Sequence, residues 1–175
     1  MTDADIGASI LSQYRSALAM IGAAIESCPE DLWNHEGDVN RFWHIAYHAL
    51  FYANLYLAPS ETEMQPWVKM RRDYHFLGPY PWPPHTRPEI GAPYTKEEIV
   101  EYHRFVSGLV APLVAAAPMD APSGFPWIPM NRFELHLYTI RHLAHHAGQL
   151  IDRLRERAQV SINWVGMRRE TSISG

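Results

Sequence analysis

Two histidines one helical turn apart, His142 and His146, lie in the string Arg141-His142-Leu143-Ala144-His145-His146-Ala147-Gly148-Gln149. At about 100° per residue they share one helix face, and two imidazoles so placed can both reach one cation at about 2.0–2.1 Å. Their line continues through Leu135, Tyr138, Gln149 and Arg153, whereas His145 falls on a more polar side with Arg141 and Asp152. The same period places the main apolar stripe at Phe133, Leu137, Ile140, Ala144, Ala147, Ile151 and Leu154, so the histidine line borders the core. Such a pair also arises by chance on His-rich surfaces, and this chain has ten histidines. His48 adds weight, because it sits in a segment that is apolar almost all round, where an unpartnered imidazole is costly. A third ligand from there would close a three-histidine set with an open position, the arrangement of catalytic zinc. His44, four residues earlier, is a further candidate, as a ligand or as a group hydrogen-bonded to one.

Four helical segments must position these residues, and nothing convincing reads as strand. The first spans about Asp3 to Ser27, capped by Thr2 with Asp5 reaching back, and it carries Ile6, Ile10, Tyr14, Leu18, Ile21 and Ile25 at helical spacing. Pro29 ends it, and a short turn follows around Glu30 to Trp33. The second covers roughly Arg41 to Leu57 and is stopped by Pro59. Residues 59–93 hold eight of the fourteen prolines, which forces extended backbone apart from a short helix expected near Trp67 to Tyr74. A connection this long and aromatic reads as a functional cover packed on the bundle. The third helix starts at Thr95 with Glu98 completing a capping box, and Pro112 kinks it or marks its last turn. A second proline-containing loop, Ala117 to Met130, leads to the fourth helix, from Asn131 to about Ala158. No repeat or domain boundary is visible, so residues 1–175 read as one domain.

Composition limits the function classes. Net charge is -4, which argues against nucleic acid as a partner. The 47% apolar content and six Trp, nine Tyr and six Phe exclude disorder. The longest weakly polar stretch, Phe105 to Pro118, is too short and too interrupted for a bilayer, and residues 1–13 lack a basic leader, so a soluble cytoplasmic protein is expected. Cys28 is the only cysteine and reads as a buried small residue without a basic partner, not a nucleophile. His103 and His136 read as structural, whereas His35, His75 and His85 fall in loops, with His75 or His85 able to line a pocket. Gly148 is expected to permit close helix approach, and Gln149 to hydrogen-bond near the metal.

The His-x-x-His-His-x-Gly-Gln string on the last helix, with His-Ala-Leu-Phe-Tyr on an earlier one, resembles the DinB/YfiT-like proteins. The resemblance implies a four-helix bundle of up-down-down-up topology, with a divalent metal held by one histidine of the second helix and two of the last. Matched residue by residue, those ligands are His48, His142 and His146, with His44, Tyr52, Tyr138 and Gln149 as neighbouring pocket candidates. Two departures stand out: His44 is an extra candidate, and the 59–93 segment is longer than a minimal member needs. The resemblance further implies a metal-dependent enzyme acting on a small molecule, with a low-molecular-weight thiol among the possible substrates. A thiol S-transferase and a hydrolase differ only in which nucleophile fills the open position. Zinc is expected first and nickel second, since imidazole suits several divalent ions. The alternative class is a non-enzymatic, stress-linked dimeric bundle with structural or adventitious metal binding.

A homodimer is expected on either reading, because a helix without a polar face is hard to bury in a four-helix monomer. Light scattering at micromolar concentration tests this: a mass near one 20.1 kDa chain would mean that the 59–93 segment alone covers that helix.

Overall fold

A computed structural model of the chain describes residues 2–168. Among these the protein is all-helical: α1 (Asp3–Ser27), the single turn α2 (Glu30–Trp33), α3 (Phe42–Leu57), α4 (Lys96–Ala116) and α5 (Arg132–Ala158), with a short 3-10 turn at Glu61–Glu63. One isolated bridge, Pro122 with Asn131, is the only β pairing among the described residues. The helix starts follow local chemistry. Thr2 and Thr95 each close a capping box, with Asp5 and Glu98 respectively, and the Asn131 side chain accepts the Glu134 N–H at 2.8 Å. Pro112 lies inside α4, on its exposed side, and the helix continues to Ala116.

The four long helices form a closed ring in which α1 and α3 each pack between α4 and α5. α1 contributes Tyr14, Leu18, Ile21 and Ile25 to the core, and α4 contributes Ile99, Tyr102, Val106, Val110 and Val114. By length and composition α4 could cross a bilayer, and here that one face packs into the bundle. α3 is buried almost throughout, with only His48 and Tyr52 half-exposed.

Its cover is the 59–94 segment, which has no helix at 67–74; turns replace the expected one. What the turns deliver is side chains. Trp67 stacks on Tyr102 at 4.6 Å, Tyr94 packs on Tyr47 at 4.8 Å, and Tyr74 lies against Trp43. All three incoming rings are buried. The all-round apolar surface of α3 is thus covered within one chain, and it does not itself require a second subunit.

The stripe expected on the last helix holds at Ala147 and Leu154, which are buried, and at Ile140 and Ile151, which pack against the core. It fails at Phe133, Leu137 and Ala144, which are exposed, whereas Leu135, His136, Thr139, Leu143, Leu150 and the buried Arg132 face the core. Partners decide that face as much as apolar type: His136 is buried against Tyr14 (Oη to Nδ1 3.1 Å), and Arg132 donates to the carbonyls of Leu57, Ala58 and Ser123 at 3.1, 2.8 and 2.8 Å. Polar residues with fixed partners can occupy a core face. Gly148 does not serve close helix approach: a Cβ there would meet nothing within 4 Å among the described residues.

Gly124, in the loop before α5, has φ +84°, and a Cβ there would lie 1.9 Å from the Pro59 carbonyl oxygen. Gly124→Ala is expected to destabilise by about 2 kcal/mol or more, through both backbone strain and that clash. Gly148→Ala, in an open helical position, should instead stabilise by up to about 1 kcal/mol. Chemical denaturation of both variants checks the contrast in sign.

Candidate metal centre

The facing surfaces of α3 and α5 bring three imidazoles together. His142 Nε2 lies 3.1 Å from His48 Nε2 and 3.0 Å from His146 Nε2, and one ligand atom from each residue falls within 4.8 Å of the others. His48 and His142 are half-buried and His146 is buried. The ring pairs are tilted or edge-on, so the three nitrogens converge without the rings stacking.

The outer nitrogens decide what the inner ones carry. His48 Nδ1–H donates to the His75 carbonyl at 2.6 Å, and His146 Nδ1–H donates to Gln149 Oε1 at 2.8 Å. In the neutral rings each Nε2 is therefore a lone pair. His142 Nε2 faces both, and its one possible proton could satisfy only one of them. Its Nδ1 is buried without a partner. Burial pushes His48 down to about 2 and His142 down to about 4, the latter reinforced by His146 and His145, and burial lowers His146 as well. Three neutral imidazoles that share no adequate supply of protons make a donor set suited to a divalent cation. The backbone and Gln149 contacts behind two of them are the orienting bonds that metal-ligating histidines use.

His44 is not one of the three. Its Nε2–H donates to the Tyr74 carbonyl at 2.7 Å and its ring stacks on Trp43, so it holds the covering segment rather than a ligand. Tyr52 sits edge-on to His48 and to His142 at 4.8 and 5.5 Å, directly beside the convergence. Tyr138 is farther out, against Tyr56 and under the Arg141 guanidinium. His75 packs flat on Phe51 at 4.0 Å, which presents its carbonyl to His48; His85 is exposed, with Nδ1–H donating to Tyr80 O. Sequence reading missed the Tyr74 and His75 carbonyls, since a backbone acceptor in an irregular segment has no signature. His103 donates to Leu18 O and is structural, His35 is exposed, and Cys28 is buried with its thiol pushed up to about 12 by desolvation.

An all-helical bundle with three imidazoles converging between two of its long helices is the class that fold and site define. The family model described as the DinB superfamily matches residues 13–150, and the chain belongs to that superfamily. No curated protein and no solved structure matches it.

The buried imidazoles make a pH prediction for metal-free protein. His48, His75, His136 and His142 all lie below the ordinary value of 6.5 when folded, His136 at about 4 through burial and Arg132. Below that ordinary value the unfolded chain takes up protons that the folded one refuses, so stability present at neutral pH is lost as pH falls. His136 alone accounts for a loss of about 3 kcal/mol near pH 4. In EDTA the Tm should drop steadily from pH 7 toward pH 4.5; a flat profile would show that these rings are not held neutral.

Proposed function

We propose that the protein is a divalent-metal-dependent enzyme in which His48, His142 and His146 hold the ion and a thiol or water is activated at its open position. The observation that carries this reading is the convergence of three Nε2 atoms, two of them lone pairs because the His48 and His146 Nδ1–H groups are already committed. An ion so held, with only neutral ligands, keeps its double positive charge and lowers the pKa of a bound thiol or water. The chain's own part is positional. Gln149 and the His75 carbonyl fix two ring orientations, and Tyr52 walls one side of the site. The substrate is a small molecule, and the reaction is thiol transfer or hydrolysis. Zinc is the first choice of ion and nickel the second.

The up-down-down-up order belongs to the same reading. It is supported by the pairing of the α3 start with the α5 end through Asp38–Arg153, of the α3 end with Arg132, and of Cys28 at the α1 end with Lys96 at the α4 start. We place the protein in the cytoplasm, acting free of membranes and nucleic acid. A homodimer would form through the exposed α5 face at Phe133, Leu137 and Ala144 rather than through α3.

Untagged protein from its native host should contain about one divalent ion per chain by elemental analysis, and His146→Ala should lose most of it while remaining helical. Metal-free protein whose melting is unchanged by that substitution would instead support the non-enzymatic bundle. With the metal established, a screen of low-molecular-weight thiols against electrophilic acceptors separates transfer from hydrolysis.

A further inference from the structure

A cavity of about 300 Å³ opens beside the first turn of α3, and none of the three converging imidazoles lines it. Its apolar walls include Trp43, Phe76 and Leu77, and its polar lining includes Arg41, His44 and Arg87. That volume is at the small end of ligand sites, and the mix of apolar wall with a few polar groups is what such sites have.

Three features independently suggest what the cavity would take. Arg87 is exposed on its rim and makes no hydrogen bond or ion pair with any described residue. The α3 start has no side-chain cap and no acidic residue in its first turn, so its orphan N–H groups and the positive end of the helix are left for an anion. His44 is 6% exposed and donates Nε2–H to Tyr74, so its Nδ1 is a lone-pair acceptor, and that nitrogen has no partner among the described residues. That nitrogen is still reached by solvent, so a ligand donor would replace water on it. The cavity therefore combines an anion-favouring region, one acceptor and apolar walls.

We propose that this cavity binds a small hydroxy or amino carboxylic acid with an apolar body, its carboxylate toward Arg87 and the α3 first turn and its hydroxyl or amine on His44 Nδ1. Binding uses none of the three metal-centre histidines, so the proposal stands or falls apart from the metal reading.

The test is calorimetric titration of the full untagged chain in EDTA with 3-phenyllactate. Saturable binding is expected, with 3-phenylpropionate, which lacks the donor, and phenethyl alcohol, which lacks the carboxylate, each about tenfold weaker. Arg87→Ala should weaken phenyllactate about tenfold and Arg87→Lys should restore part of that loss. His44→Phe, which keeps a ring on Trp43, should erase the preference for phenyllactate over phenylpropionate. The ligand series on the unaltered chain and the exposed Arg87 variants carry the test if that variant fails to fold. His146→Ala should bind as the unaltered protein does. No binding at millimolar phenyllactate, equal binding of all three compounds, indifference to Arg87→Ala, or loss of binding in His146→Ala would each overturn the proposal.

Discussion

Two imidazole N–H groups donated to consecutive backbone carbonyls hold this structure in its particular form. His44 bonds Tyr74 and His48 bonds His75, one helical turn and one residue apart. These bonds let two polar rings sit in an otherwise apolar helix without an unsatisfied donor. They also pin the covering segment to α3 at the place where it passes the three-histidine cluster. The same bond that secures the cover assigns the His48 proton to Nδ1 and leaves Nε2 facing the other imidazoles. Packing and proton placement are set together by one contact, so the cover cannot shift at residue 75 without reorienting one of the three converging nitrogens.

Arg132 follows the same rule at the opposite end of α3. Arg132 is buried without a carboxylate and is satisfied by three carbonyls, two of them at the end of α3, where the helix dipole is negative. Replacing Arg132 by an apolar side chain would leave these carbonyls without the donors it supplies. α3 is consequently held at both ends by side-chain-to-backbone bonds, from its own histidines near the start and from Arg132 at the finish.

Much of this was legible from spacing alone. Helix limits followed from caps and prolines at Thr2, Thr95, Asn131, Pro29 and Pro59, because those signals act within a few residues. The cluster of His48, His142 and His146 was legible in part: the i, i+4 pair and a polar residue in an apolar helix left His44 and His48 both open, and the resemblance to DinB/YfiT-like proteins chose His48. The buried face of α5 was not, since Arg132, His136 and Thr139 are core residues only by virtue of partners distant in sequence. The turns at 67–74 were also missed, because Trp67 and Tyr74 look helical in spacing while their burial comes from tertiary contacts. The Tyr74 and His75 carbonyls lie outside any pattern of residue types.

The cover is held by its side chains more than by its backbone. Between residues 59 and 94 the backbone hydrogen bonds are short-range turns such as Met70 to Trp67, Phe76 to Asp73 and His85 to Trp82, while Trp67, Tyr74 and Tyr94 are locked among α3 and α4 rings. Order and amide protection therefore part company here. Many of these amides have no helix or ladder to shield them from exchange with deuterium, yet the Trp67, Tyr74 and Tyr94 rings are as buried as the bundle beneath them. Judged by exchange, the segment would pass for a loose loop; judged by the burial of these rings, it belongs to the core. Drift in its backbone length between the anchors is correspondingly cheap, whereas change at the anchors is not.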